Sequence, residues 1–155
     1  MTERAISAVP RPVLALLALT LALQIFSGLR TRLPRASAQA LPPPPSRDLI
    51  AAVSFGERIS ASQSLALYLQ AFDNQPGISI PFQNLDYAIV TQWLERMLEL
   101  DARAQYPFLM STHLYAQVPD PARQRQMLDF TYQHFFAAPN QRWQWLAHAA
   151  IVAKH

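Results

Sequence analysis

The sequence predicts an all-α protein in three parts: one apolar N-terminal helix, a proline-rich linker and a small domain of paired helices. Three observations carry that prediction. Residues 13–29 contain no charged side chain. Beyond residue 60, apolar residues recur at intervals of three and four, the period of one helix face. Pro, Asp and Asn punctuate those stretches, and no apolar run reads as a strand longer than "ISI" at 78–80.

The first element follows a short basic N-terminus, residues 1–12, with Arg4 and Arg11. Val13 to Leu29 is then interrupted only by Thr20, Gln24, Ser27 and Gly28. As a helix it is about 25 Å long, near the short limit for spanning a bilayer core. Leu, Ala or Ile lies on every face, and a helix apolar all round belongs in lipid or deep in protein. We therefore assign 13–29 as a single-pass transmembrane anchor, with residues 13–35 facing lipid and headgroups. The competing reading is a cleaved export signal, since Ala36-Ser37-Ala38 has the small-x-small form of a cleavage site. Arg30, Arg32, Pro34 and Arg35 stand between that triplet and the apolar run, which argues against cleavage. A buried helix of a soluble protein is the third alternative. For orientation, two arginines precede the span and three follow it closely, which favours a cytoplasmic domain. An apolar segment at an N-terminus with a basic start more often leaves the following domain outside. On that ground the domain is assigned to the periplasmic or extracytoplasmic side.

Residues 30–47 form an Arg- and Pro-rich linker. Pro42 to Pro45 are consecutive, a run that prefers polyproline II and acts as a semi-rigid spacer. The remaining 48–155 make one domain of ordinary size. Charge divides along the same boundary. Residues 1–47 hold six Arg against Glu3, whereas 48–155 hold six Arg and Lys154 against nine acids. The pI of about 9.7 thus comes from the membrane-flanking part, where cations suit lipid headgroups. The domain lacks the basic footprint of a nucleic-acid binder, so no nucleic-acid partner is expected.

Within the domain, Ser60 with Gln63 gives a capping-box pattern for a helix running to Phe72, and "DNQPG" at 73–77 ends it. Pro81 keeps "ISIPF" extended. Asn84 is placed to cap the next helix, whose Val90, Trp93, Leu94, Met97 and Leu98 share a face opposite Gln92, Glu95, Arg96 and Glu99. A short helix over 106–117 stops at "VPDP". Asp120 then caps a helix with Pro121 at its first position. Met127, Leu128, Tyr132, Phe135 and Phe136 are its expected inner face. "APN" at 138–140 ends it, and Trp143 to Lys154 forms the last helix. Tyr68, Trp93, Tyr106, Tyr132 and Phe136 are expected to build the core.

A shift of 37 residues aligns "LELDARAQYPFLM" (98–110) with "FFAAPNQRWQWLA" (135–147), placing Tyr106 on Trp143, Phe108 on Trp145 and Leu109 on Leu146. On these residues, 84–155 resembles tetratricopeptide-like helical-repeat proteins, whose period is 34. The resemblance implies stacked helical hairpins that contact other proteins. The small residues that let paired helices approach are not at that family's spacing, so no groove residues follow from it.

No residue pattern points to a reaction. His148 and His155 are seven apart, not the three or four that zinc ligands on a helix need, and there is no Cys or HExxH. Glu95 and Glu99 beside Arg96 and Arg103 read as a solvated helix face. Gly28, Gly56 and Gly77 are too far apart for a phosphate loop. No catalytic, cofactor or metal residue is assigned. The aromatic excess is what asks for a role. Trp143 and Trp145 lie on different faces of one helix, so one of them must meet something beyond the core. The final helix is nearly apolar all round, broken only by Gln144 and His148 before Lys154. Its cover is expected to be a second copy, another subunit or further chain. Trp143, Trp145, Leu146, Ile151 and, off the main stripe of the preceding helix, Phe130 are the candidate partner contacts. The expected role is a non-catalytic scaffold or adaptor in a membrane-associated assembly. The alternative is a small-molecule-binding or accessory subunit of a membrane enzyme complex.

Overall fold

A computed structural model of the chain describes residues 10–30, 38–75 and 77–154. It is mostly helical, with seven α-helices among the described residues. The chain divides into two compact units, Met1–Arg35 and Ala36–His155. Arg4, Arg32 and Arg35, most of the Ala36–Ala38 triplet, and His155 fall outside the described residues.

The first unit is helix α1, Arg11–Arg30, in which no residue is buried. It is long and apolar enough to cross a membrane. Thr20, its central polar residue, donates its hydroxyl to the Leu17 carbonyl, which removes a free donor from the apolar run. At the C-terminal end, the Arg30 guanidinium lies 4.2 Å from the Phe26 ring centroid, a cation over an aromatic face.

The second unit begins before its first helix, which corrects the spacer expectation for the proline run. Gln39 and Gln75 exchange two hydrogen bonds: Gln39 N donates to Gln75 Oε1 (2.8 Å), and Gln75 Nε2 donates to the Gln39 carbonyl (3.0 Å). Leu41 is buried in the core cluster, and the Trp93 indole N–H donates to the Pro42 carbonyl at 2.8 Å. A proline run has no N–H of its own to satisfy, and its free carbonyls are available to a buried indole. Residues 39–42 are therefore part of the domain and not a strut away from it.

Helix α2, Arg47–Val53, was not foreseen; Ser46 caps it by accepting from Leu49 N. Helix α3, Arg58–Ala71, starts two residues before the expected capping box. Its N-cap, Glu57, makes no side-chain cap bond, and Ser60 lies inside the helix with its carbonyl accepting from Ser64. A two-stranded antiparallel hairpin follows, β1 (Asn74–Gln75) with β2 (Ile78–Ser79), pairing Asn74 with Ser79. Gly77, at φ +79°, takes the left-handed turn position there. Helix α4, Tyr87–Leu100, is capped by Asp86 and not Asn84: the Asp86 carboxylate accepts from Ala88 N. Asn84 ends a 3-10 turn instead.

Helix α5, Tyr106–Leu109, runs directly into a π-helical turn, Met110–Tyr115. The Ser111 and Thr112 hydroxyls both donate to the Phe108 carbonyl, at 3.0 and 2.8 Å, and the Tyr87 hydroxyl donates to the Tyr115 carbonyl. Such competing donors widen a helical turn. Helix α6, Pro121–Phe135, has the expected Asp120 cap, accepting from Ala122 N and Arg123 N. Helix α7, Pro139–Val152, begins at Pro139, so the residues expected to end α6 open α7.

The core packs α3 on α4, α4 on α5 and α6, and α6 on the π turn and α7. Leu69, Val90, Leu94, Met97, Phe108, Tyr115 and Met127 are fully buried in it. Of the five aromatics expected there, Trp93 alone is buried; Tyr68, Tyr106, Tyr132 and Phe136 are exposed. Tyr68 still stacks on Trp93, with centroids 5.0 Å apart. On α6 the buried residues are Met127, Phe130 and Thr131, so the helix is rotated from the expected face. Met127 and Phe130 fill the inner face in place of Tyr132 and Phe136, and Thr131 Oγ1 sits 2.9 Å from Ser111 Oγ, a buried bond across to the π turn that suits the same rotation. The two hairpins do not keep the 37-residue register. Their helix starts are 34 residues apart for α4 and α6 (Tyr87 to Pro121) and 33 for α5 and α7 (Tyr106 to Pro139).

Candidate functional site

Helix α7 has two different sides. Inward it buries Arg142, Ala149 and Val152, at the i, i+7, i+10 spacing of one helix face. Arg142, only 4 % exposed, ties three elements together. Its Nη2 donates to the Ala102 carbonyl after α4 (2.6 Å), and its Nη1 donates to the His134 carbonyl near the end of α6. The guanidinium stands 4.7 Å from the Phe108 ring centroid. Burial draws the Arg142 pKa down from its ordinary value. The Ala102 carbonyl lies just beyond α4 and the His134 carbonyl in the last turn of α6, so the buried cation acts as a staple between the ends of two helices.

Beside it, Trp145 is half-buried against the core and its indole N–H donates to Gln105 Oε1 at 2.6 Å. The edge of the same ring meets His113, whose imidazole stacks flat on His148 with centroids 3.6 Å apart. Thr112 gives its single hydroxyl proton to the Phe108 carbonyl, so the 3.0 Å contact with His113 Nδ1 requires that nitrogen to donate. Burial, and secondarily the neighbouring His148, lower the His113 pKa. His134 is shifted down as well, chiefly by burial.

Outward, α7 presents Trp143 (64 % exposed), Ala147, Ala150 and Ile151 (60 % exposed), the i, i+4, i+7, i+8 pattern of one apolar stripe. Tyr132 and Phe136 of α6 are also exposed and meet edge to face at 5.1 Å. The candidate contacts are thus divided. Trp143 and Ile151 face out, Leu146 and Trp145 are half-buried, and Phe130 is only 3 % exposed. Phe130 packs on Phe108 (5.9 Å) and His134 (4.6 Å), so it is core and not a contact surface. Arg142 is the residue that the sequence reading passed over. A lone cation inside "RWQWLAHAAIV" was its signal, because an arginine on an otherwise apolar helix has to find carbonyls.

A separate cavity of about 530 Å³ opens between α3 and the α4–α5 corner, lined by Ser62, Gln63, Leu67, Asp101, Gln105 and Tyr106. Its polar groups are largely engaged within the protein. Ser62 Oγ donates to the Met97 carbonyl, the Tyr106 hydroxyl donates to Gln70 Oε1, and Asp101 Oδ1 accepts from Arg103 N. Glu99, exposed as expected of a solvated face, also joins chain segments. It accepts from Arg47 Nε at 2.9 Å and pairs with Arg96 at 2.9 Å, while its carbonyl accepts from Arg58. The hydrogen bond from Arg47 is the main cause of its lowered pKa. Among the described residues, no three His, Asp or Glu side chains come together to hold a metal ion. The chain matches no protein-family model, no curated protein and no solved structure.

Proposed function

We propose that this protein is a membrane-anchored helical scaffold or adaptor, held by α1 in the bilayer and binding a protein partner through the outer stripe of α7. One observation carries the reading. Trp143 and Ile151 stand mostly in solvent on a helix whose other side is fixed by buried Arg142, Ala149 and Val152. Covering each large apolar side chain is worth about 1.5–3 kcal/mol, and Trp is among the residues that concentrate binding energy at protein interfaces. A rigid backing matters too, since a surface already ordered has little entropy left to lose on binding.

The helix-start spacings of 34 and 33 residues are consistent with a tetratricopeptide-like array and support a role in protein contact. The apolar 20-residue α1 supports the anchor, and the basic start before it supports an extracytoplasmic domain. The role is non-catalytic, with no cofactor and no nucleic acid. The second reading is a small-molecule-binding or accessory subunit of a membrane enzyme complex. The cavity beside Asp101 and Gln105 favours it. Site-specific photocrosslinking of the full-length chain in its native membrane distinguishes the two. A probe at Trp143 that joins one stoichiometric protein supports the scaffold. A probe at Gln63 quenched by a small metabolite, with none joined at Trp143, supports the alternative.

A further inference from the structure

The corner between α2 and α3 carries apolar side chains that no other described residue of the domain covers. Leu49 and Val53 lie one turn apart on α2, Phe55 sits in the connecting turn, and Ile59 is in the first turn of α3; all four are exposed. Phe55 is 94 % exposed and holds φ +52°, followed by Gly56 at φ +86°. The left-handed region is costly for a bulky L residue, and here that cost serves to hold an aromatic ring out in solvent. Behind it, Pro45, Leu49, Ile50, Val53, Ala61 and Leu65 line an apolar groove of about 370 Å³.

We propose that this corner is a lipid-contacting wedge, whose Leu49, Val53, Phe55 and Ile59 enter the interfacial layer of the bilayer. The inference rests on the reading of α1 as a membrane anchor. Gln39 is bonded to the domain and lies nine residues after Arg30, the end of α1, so the tether spans at most about 30 Å. That keeps the domain within reach of the membrane surface, and α2 is the first helix after the tether. Shape and charge select lipid over a protein partner. A protruding tip offers no broad face for a folded surface to match, whereas lipid deforms around a single ring. Arg47 and Arg58 are balanced by Asp48 and Glu57, so the corner has no net charge to steer a charged protein. An uncharged apolar wedge is held by the apolar area that it buries among lipid, not by anionic headgroups.

The chain has no cysteine, so a spin label can be placed on Phe55→Cys or Val53→Cys in the full-length protein, with Gln133→Cys on exposed α6 as reference. The protein is reconstituted in phosphatidylcholine vesicles, and flotation is measured alongside collision of the label with oxygen and with a water-soluble nickel chelate. The expected result is flotation, with oxygen favoured at 53 and 55 and nickel favoured at 133, unchanged between low and high salt. Flotation with nickel favoured at 53 and 55, or oxygen access there that high salt abolishes, overturns the wedge and leaves the anchor standing. Failure to float overturns the anchor reading and the wedge with it.

Discussion

Helices α4 and α7 are each 14 residues long, yet the first buries six residues and the second three. Helix α4 buries Tyr87, Val90, Trp93, Leu94, Met97 and Leu98, starts on a side-chain cap from Asp86, and has α3, α5 and α6 against it. Helix α7 buries three residues, one of them an arginine, has no side-chain cap, and packs chiefly on α6 and the π turn. The difference teaches that apolar content does not measure how much of a helix the fold itself uses. In α4 the apolar residues are sorted to one side and the domain consumes them. In α7 they surround the axis, and the fold consumes half.

The largest test of that contrast is truncation on each helix. Met97→Ala or Leu94→Ala should lower unfolding stability by about 2–5 kcal/mol, because a cavity opens in a packed interior. Ile151→Ala should cost under about 1 kcal/mol in the isolated protein, since that side chain is already wet. Urea unfolding of the full-length chain in detergent, followed by circular dichroism, reads both. Equal losses would erase the distinction.

Next is the staple. Arg142→Ala removes donors from the Ala102 and His134 carbonyls and should cost about 1–3 kcal/mol. Arg142→Lys should recover little, because an ammonium cannot fork between two carbonyls while lying over the Phe108 ring. Differential scanning calorimetry of the three proteins checks the order. A full rescue by lysine would show that charge alone is what matters there.

Caps sharpen the comparison at a smaller scale. Asp86→Ala and Asp120→Ala should each cost about 1 kcal/mol, while Ala138→Asp, adding the cap that α7 lacks, should gain a few tenths. Midpoints of thermal unfolding suffice to rank them.

The smallest expected effect is on pH. His113 and His134 have folded pKa values pulled below the ordinary value near 6.5. Between the lowered folded values and 6.5, the unfolded chain binds more protons, so stability falls as pH drops below about 6.5. Melting temperature measured from pH 7.5 to 5.0 should decline, and His134→Gln should flatten that decline.

Much of this architecture was legible where one mechanism acts alone. Asp120-Pro121 announces a helix start because a cap and a fixed φ coincide, and α4 announces its buried face because charge and apolarity alternate cleanly. The errors came where two demands compete. Aromatic size pointed α6 inward through Tyr132 and Phe136, but Met127 and Phe130 take the inner face, with Thr131 bonded to Ser111 beside them. Asn84 and Asp86 are both good caps, and only the 3-10 turn ending at Asn84 decides between them. The docking of Leu41 and Pro42 was invisible because it depends on an indole 51 residues away. At the candidate site, the sequence identified a helix with too many apolar faces. It did not show which of Trp143 and Trp145 turns outward, since that follows from where Gln105 lies.

The most direct test of the central claim is hydroxyl-radical footprinting of the full-length protein, in native membranes and after purification. Trp143 and Ile151 should be shielded in native membranes and reactive once purified, while buried Trp93 stays unreactive in both. Equal reactivity of Trp143 and Ile151 in the two states would mean that the outer face of α7 has no partner, and the scaffold reading would fall.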